Sequence, residues 1–270
     1  MKVDFRAHGP AERRQLVRGI SRHGAMLLAE KIETPEEFQQ AVREGYVLFQ
    51  GYFFCRPEMM RTKAIAPNRV AYLRLLREVH SAQIDFPTIE GIIQQDVALS
   101  LKLLRFMQSA AFGWAKDVRS IRQAMLIMGE RALRKWAALV AVFGLAQGKP
   151  SELVIVALTR ARFAEKLGPA VGLEGRDLDL FLSGLLSVVD ALTDTPIDEA
   201  LATVAVPESV RSALLDGGPP LGDALHLVLA WERGQWDEVE RWLRRLGPSE
   251  AEVAAIYADA VLWAEDHAQP

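Results

Sequence analysis

"RVAYLRLLREVHSAQ", residues 69–83, is the stretch where the texture of this chain changes. Val70, Leu73, Leu76 and Val79 recur at three-residue steps, which places them on one face of a helix. The same periodicity continues through "TIEGIIQQ" (88–95), "VALSLKLLRFMQSAAF" (97–112), "SIRQAMLIMG" (120–129) and "RALRKWAALVAVFGLAQ" (131–147). It resumes over 151–167, 176–192, 207–215, 219–232, 235–246 and 249–267. Turn signals such as "GKPS", "DGGPP" and "RLGPS" lie between these segments. Residues 63–270 are therefore expected to be all-α, with no repeat of fixed period.

Upstream the pattern differs. "KVDF", "AMLLAEKI" and "YVLFQGYFF" are strand candidates. "PAERRQLVRGISRHG" is an amphipathic helix opened by Pro10 and closed by Gly24. "TPEEFQQAVREG" is a helix with Thr34 as N-cap, Pro35 at the first position and acids in the first turn. Strand, helix, strand, helix, strand with short loops predicts a βαβαβ segment and a parallel sheet over residues 1–62. The fold class is α+β, a short βαβαβ segment followed by a large helical domain.

Composition narrows the function classes. A net charge of −3 gives no general electrostatic reason to bind nucleic acid. The single cysteine, Cys55, excludes an internal disulfide and the paired-cysteine zinc patterns, and it reads as an ordinary thiol. The N-terminus "MKVDFRAHGPAERRQ" has no apolar stretch of the secretory kind. The run "WAALVAVFGLAQ" falls short of the ~20 residues that span a bilayer. The expectation is a cytoplasmic protein without membrane contact.

Two resemblances follow from particular residues. Asp96, Leu99, Leu103, Leu104 and Ser109 fit a D-x-x-L-x-x-x-L-L-x-x-x-x-S pattern. Ser120, Ile121, Ala124 and Gly129 fit S-I-x-x-A-x-x-x-x-G, and "FLSGLLSVVDAL" (181–192) follows in order. Over about 65–232 these resemble the HDOD domain, a helical relative of the HD phosphohydrolases. In the first 60 residues, "KVDF", "LLAEKIET" and "FQGYFFCRP" resemble the last third of an EAL domain, a β/α barrel associated with cyclic di-GMP. An EAL barrel followed by HDOD is similar to a bacterial signalling arrangement, the YuxH-like group.

The resemblances also say where chemistry would sit. The HD metal pair would follow "FLSGLL", and those positions hold Ser187 and Val188. Neither replaces a strong metal ligand. Asp190 lies two positions past the carboxylate's place, on a different helical face. His80 and His226 lie in the helical part, outside any H-x-x-x-H spacing. The EAL resemblance implies that Lys2, Glu30 and Gln50 face the active end of the barrel, with the lysine and glutamate serving a metal site. The early strands that carry the family's signature glutamate and most ligands have no counterpart here. Lys2 and Glu30 are therefore expected as a vestigial charge pair and Gln50 as a hydrogen-bonding partner. The tripeptide Glu199-Ala200-Leu201 belongs to a helix of the other domain and matches the EAL signature by coincidence.

Other features carry bland readings. "RALRKW" (131–136) reads as a solvated helix face, and Trp231, Trp236, Trp242 and Trp263 as helix-packing residues. No P-loop, dinucleotide-binding glycine pattern or G-x-S-x-G elbow occurs. The functional expectation is a non-enzymatic signalling adaptor, without catalytic residues, metal or cofactor, acting on an unknown signalling protein. The alternatives are a metal-dependent phosphohydrolase or phosphodiesterase with residual activity, or a cyclic di-GMP sensor that does not cleave. Nucleic-acid binding is not expected, and cyclic di-GMP binding is disfavoured. Leu27, Leu28, Val47, Phe49 and Phe53 make an apolar strand face with two open edges, which favours a homodimer through residues 1–60.

Overall fold

The computed structural model describes residues 2–21, 26–51, 67–81, 83–107, 120–203 and 206–268. Cys55, Phe53, Gly24 and Ser109 lie outside them. The chain divides into two compact units, Met1–Glu58 and Met59–Pro270.

In the first unit, β1 (Lys2–Asp4), α1 (Pro10–Ser21), β2 (Leu28–Glu30), α2 (Pro35–Glu44) and β3 (Leu48–Phe49) alternate. The strands are parallel in the order β1-β2-β3, with Val3 opposite Ala29 and Ala29 opposite Phe49. Strand alternation splits β1 and β2 cleanly. Val3 and Ala29 are buried with Phe5, Val17, Leu27, Ile32, Ala41 and Tyr46, while Lys2, Asp4, Leu28 and Glu30 take the other face. The expected apolar patch is corrected accordingly: Leu27 is already in this core, and only Val47 stands well exposed among its described members with Leu28 and Phe49 between.

Local chemistry explains the second helix. Thr34 Oγ1 accepts from the Glu37 backbone N–H, and the Glu37 carboxylate accepts from Thr34 N–H, a reciprocal capping box. Gly45 ends the helix at φ 97°, a left-handed conformation that a side chain would strain. Sequence reasoning missed the unit's organising residue. Arg13 is 5% exposed, donates to the Phe5 and His8 carbonyls at 2.7 Å each and pairs with Glu44 at 2.9 Å. One guanidinium thus joins α1, α2 and the end of β1.

The second unit is helical throughout its described residues: α3 (Pro67–Val79), α4 (Phe86–Gln95), α5 (Val97–Met107), α6 (Ile121–Leu145) and α7 (Ser151–Leu167). There follow a 3-10 turn (Pro169–Val171), α8 (Asp177–Leu186), α9 (Val189–Thr193), α10 (Ile197–Thr203) and α11 (Glu208–Leu215). The chain continues with α12 (Leu221–Glu232), α13 (Trp236–Leu246) and α14 (Glu250–His267). The face expected for residues 69–83 is rotated: Val70 is 51% exposed, while Tyr72, Leu73, Leu75, Leu76 and Val79 are buried. Two expected helices merge into α6, with Gly129 at φ 71° and ψ 170° marking a kink between them.

Small residues set the closest packing. A Cβ on Gly184 of α8 would collide with the Arg160 backbone of α7, so these two helices cross in near backbone contact. Gly144 of α6 likewise seats the Tyr72 ring of α3. Leu182, Leu185, Leu186 and Val189 are fully buried, as the stripe in "FLSGLLSVVDAL" predicts.

Candidate functional site

The first candidate is the charged face of the small sheet. Asp4 and Glu30 are the last residues of β1 and β2, and Gln50 follows β3, so all three stand at the C-terminal strand ends. In α/β sheets that is the end where ligands bind. Lys2 Nζ reaches Glu30 Oε1 at 3.0 Å, forming the pair expected from the sequence. Lys31 Nζ donates to Asp4 Oδ2 at 2.6 Å, and Asp4 Oδ1 accepts from the Arg6 and Ala7 backbone N–H groups. The hydrogen bond from Lys31 holds the Asp4 carboxyl below its ordinary range and raises the Lys31 ammonium in turn. Lys31 adopts φ 60°, a left-handed conformation uncommon for a residue with a side chain. Beyond it, Arg6 bridges Glu33 at 2.8 Å and Glu37 at 3.2 Å. The Gln50 backbone is tied to β2, its N–H donating to the Ala29 carbonyl at 2.7 Å and its carbonyl accepting from Ile32 N–H.

The face carries alternating charge rather than a ligand cage. Among the described residues no group of three or more His, Cys, Asp or Glu side chains is gathered to hold a metal ion. Asp4 and Glu30 each spend an oxygen on a lysine. These residues alone do not fit a metal centre.

The second candidate is the place where the sequence resemblance would put an HD pair, Ser187 and Val188. The segment is not one helix: α8 ends at Leu186, α9 begins at Val189, and Ser187 and Val188 form the break. The assignment of Asp190 to another face of a continuous helix is corrected by that break. Val188 is 1% exposed. Ser187 Oγ donates to the Gly184 carbonyl at 2.7 Å and accepts from Arg160 Nη1 at 3.1 Å. Arg160, 4% exposed, pairs with Glu232 of α12 at 2.5 Å. A fixed side-chain cation therefore sits beside Ser187. Burial raises the pKa of Asp190, and burial followed by the Glu232 charge raises that of Tyr257 on α14. The signal for Arg160 was present in the sequence: a cation on the apolar stripe of Ala157, Ala161 and Ala164.

The remaining residues fall apart spatially. His80 is 9% exposed and neither ring nitrogen has a hydrogen-bond partner among the described residues; burial, with Arg134 nearby, pushes its pKa down to about 4. His226 stacks on Trp242 with ring centroids 5.3 Å apart. The run 131–136 is not a solvated face. Trp136 is in the core, Lys135 binds Glu165 at 2.5 Å over the Phe181 ring, and Arg131 and Arg134 pair with Asp177 and Glu130. Of the late tryptophans Trp231 is buried, and Trp236, though 60% exposed, meets it edge-on across α12 and α13 with ring centroids 5.7 Å apart. Glu199, Ala200 and Leu201 lie in α10, with Ala200 and Leu201 in its buried cluster. No described helix is long and apolar enough to cross a membrane.

Residues 66–193 match the HDOD domain family. The chain is 33% identical over 268 residues to the protein named cyclic di-GMP phosphodiesterase CdgJ of Vibrio cholerae. It is 28% identical over 266 residues to the uncharacterized protein YuxH of Bacillus subtilis. These alignments take in 98% and 97% of this chain but 62% and 64% of the relatives, so the chain spans less than two thirds of their length. No solved structure matches it. The resemblance to a protein named as a phosphodiesterase overturns the expectation of a non-enzymatic adaptor. That expectation rested on the residue identities at Ser187 and Val188, which do not by themselves decide the activity of the whole chain.

Proposed function

We propose that this chain, whose residues 66–193 match the HDOD domain, acts in cyclic di-GMP hydrolysis as a phosphodiesterase. The observation that carries the reading is the likeness to CdgJ along 98% of the chain, which runs through both units. The charged strand-end face of the first unit is the place we assign to the substrate, as its EAL-like pattern implies. A phosphodiester gathers negative charge on its oxygens during displacement, and preorganised cations and amide donors stabilise it. Lys2, held by Glu30 at 3.0 Å, offers such a cation, and the Gln50 side chain offers an amide. Glu30 orients the ammonium. EAL-type hydrolysis uses divalent metal, and Asp4 and Glu30 alone do not make a cage for it. The break at Ser187 is the poorer location, since Arg160 occupies the space beside the hydroxyl. This reading replaces the expectation that disfavoured cyclic di-GMP binding.

The test is incubation of the purified chain with cyclic di-GMP and Mg²⁺ or Mn²⁺, following the linear dinucleotide by chromatography. Turnover is expected, with Glu30→Gln and Lys2→Met each lowering it on the order of 10²-fold and Ser187→Ala leaving it unchanged. Absence of turnover, or loss on Ser187→Ala but not on Lys2→Met, overturns the proposal.

A further inference from the structure

On the helical side of the small sheet, α1 and α2 enclose a cleft of about 470 Å³ lined by Arg14, Val17, Gln40, Arg43 and Glu44. Its charge is not balanced. Glu44 is the acid of the lining, but its carboxylate is taken by Arg13 at 2.9 and 3.3 Å and by the Gln40 amide at 2.9 Å. Arg13 and Glu44 are 6% and 5% exposed at their side chains, so that pair is sealed beneath the cleft. Arg14 and Arg43 remain, both exposed and without an acidic partner among the described residues. The end of α2 gives Arg43 a modest electrostatic reason to be there, since cations favour helix C-termini. It gives Arg14, one turn into α1, none.

We infer that the α1–α2 cleft is a binding site for a phosphate-bearing small molecule, held by Arg14 and Arg43. The cleft volume lies in the range of small-molecule sites, roughly 300–1,000 Å³. Two guanidinia match the double negative charge of a phosphate monoester and present paired N–H donors to its oxygens. Val17, half-way down α1 and buried, supplies an apolar floor. The site lies on the side of the sheet opposite Lys2 and Glu30, and it does not rest on the phosphodiesterase reading.

Calorimetric titration of the full chain at low ionic strength tests it, with inorganic phosphate, guanosine 5′-monophosphate and guanosine as separate probes. Saturable binding of the monophosphate but not of guanosine is expected. The Arg14→Ser/Arg43→Ser double variant, whose changes are at exposed positions, should weaken it at least about tenfold. Binding of inorganic phosphate as tightly as the monophosphate, lost in the same variant, also supports the site and assigns it to the free ion. Equal binding of guanosine, no saturable heat with either phosphate, or unchanged affinity in the double variant overturns it. A charge-retaining Arg14→Lys/Arg43→Lys variant that keeps full affinity would overturn the role of the guanidinium fork.

Discussion

The strand-end face of the first unit and the α8–α9 break of the second are both places where a hydrolase resemblance points, and they are built in opposite ways. At the strand ends Lys2 is 65% exposed and Glu30 27% at their side chains, so their pairing can be exchanged for a ligand at small cost. At the break, Arg160 and Glu232 are 4% and 8% exposed, with Ser187 bonded to the same guanidinium. That ion pair is desolvated and its opening leaves a buried charge. A polar cluster that is sealed and mutually satisfied holds helices together. One that stands in solvent with exchangeable partners is open to a substrate.

The comparison can be broken most forcefully at Arg160. Arg160→Met strands Glu232 among α7, α12 and α14, and the helical unit should lose about 3–5 kcal/mol in denaturant unfolding. The Arg160→Met/Glu232→Met pair should recover most of the loss. If the single change costs under about 1 kcal/mol, the cluster is solvated and the contrast with the strand ends collapses.

A second test uses pH. His80 is neutral in the folded helical unit because burial disfavours its charged form, with a pKa pushed to about 4 against 6.5 when unfolded. Above pH 6.5 both states are neutral and the group contributes no slope. As pH falls from 6.5 to about 4 the unfolded state gains the proton first, and stability should drop by up to about 3 kcal/mol. His80→Phe should flatten that slope in urea titrations run across the interval. A slope that persists in the variant assigns it to other groups.

The smallest expected effect sharpens the opposite side. Glu30→Gln removes an exposed ion pair and should change the stability of the first unit by about 0–1 kcal/mol, measured by thermal unfolding. A loss of several kcal/mol would mean that this pair is structural, like the one at Arg160.

The sequence by itself determined most of the architecture. Thr34, Pro35 and Glu37 specify the start of α2 through a box closed within four residues, and the period-two and period-three patterns separate the sheet from the helices. The identities of Ser187 and Val188 were legible as well, but the break they make between α8 and α9 was not. What tertiary structure decided was which charges are spent. Arg13 finds Glu44 across 31 positions, and Arg160 finds Glu232 across 72. Neither separation has a local periodicity to reveal it, so the sequence could not name the acid that each buried cation meets. The same cause rotated α3 away from Val70 and broke the helix at Ser187. The Gly184–Arg160 and Gly144–Tyr72 approaches fix where helices meet, and packing at those points outranks the spacing of apolar residues along one chain segment.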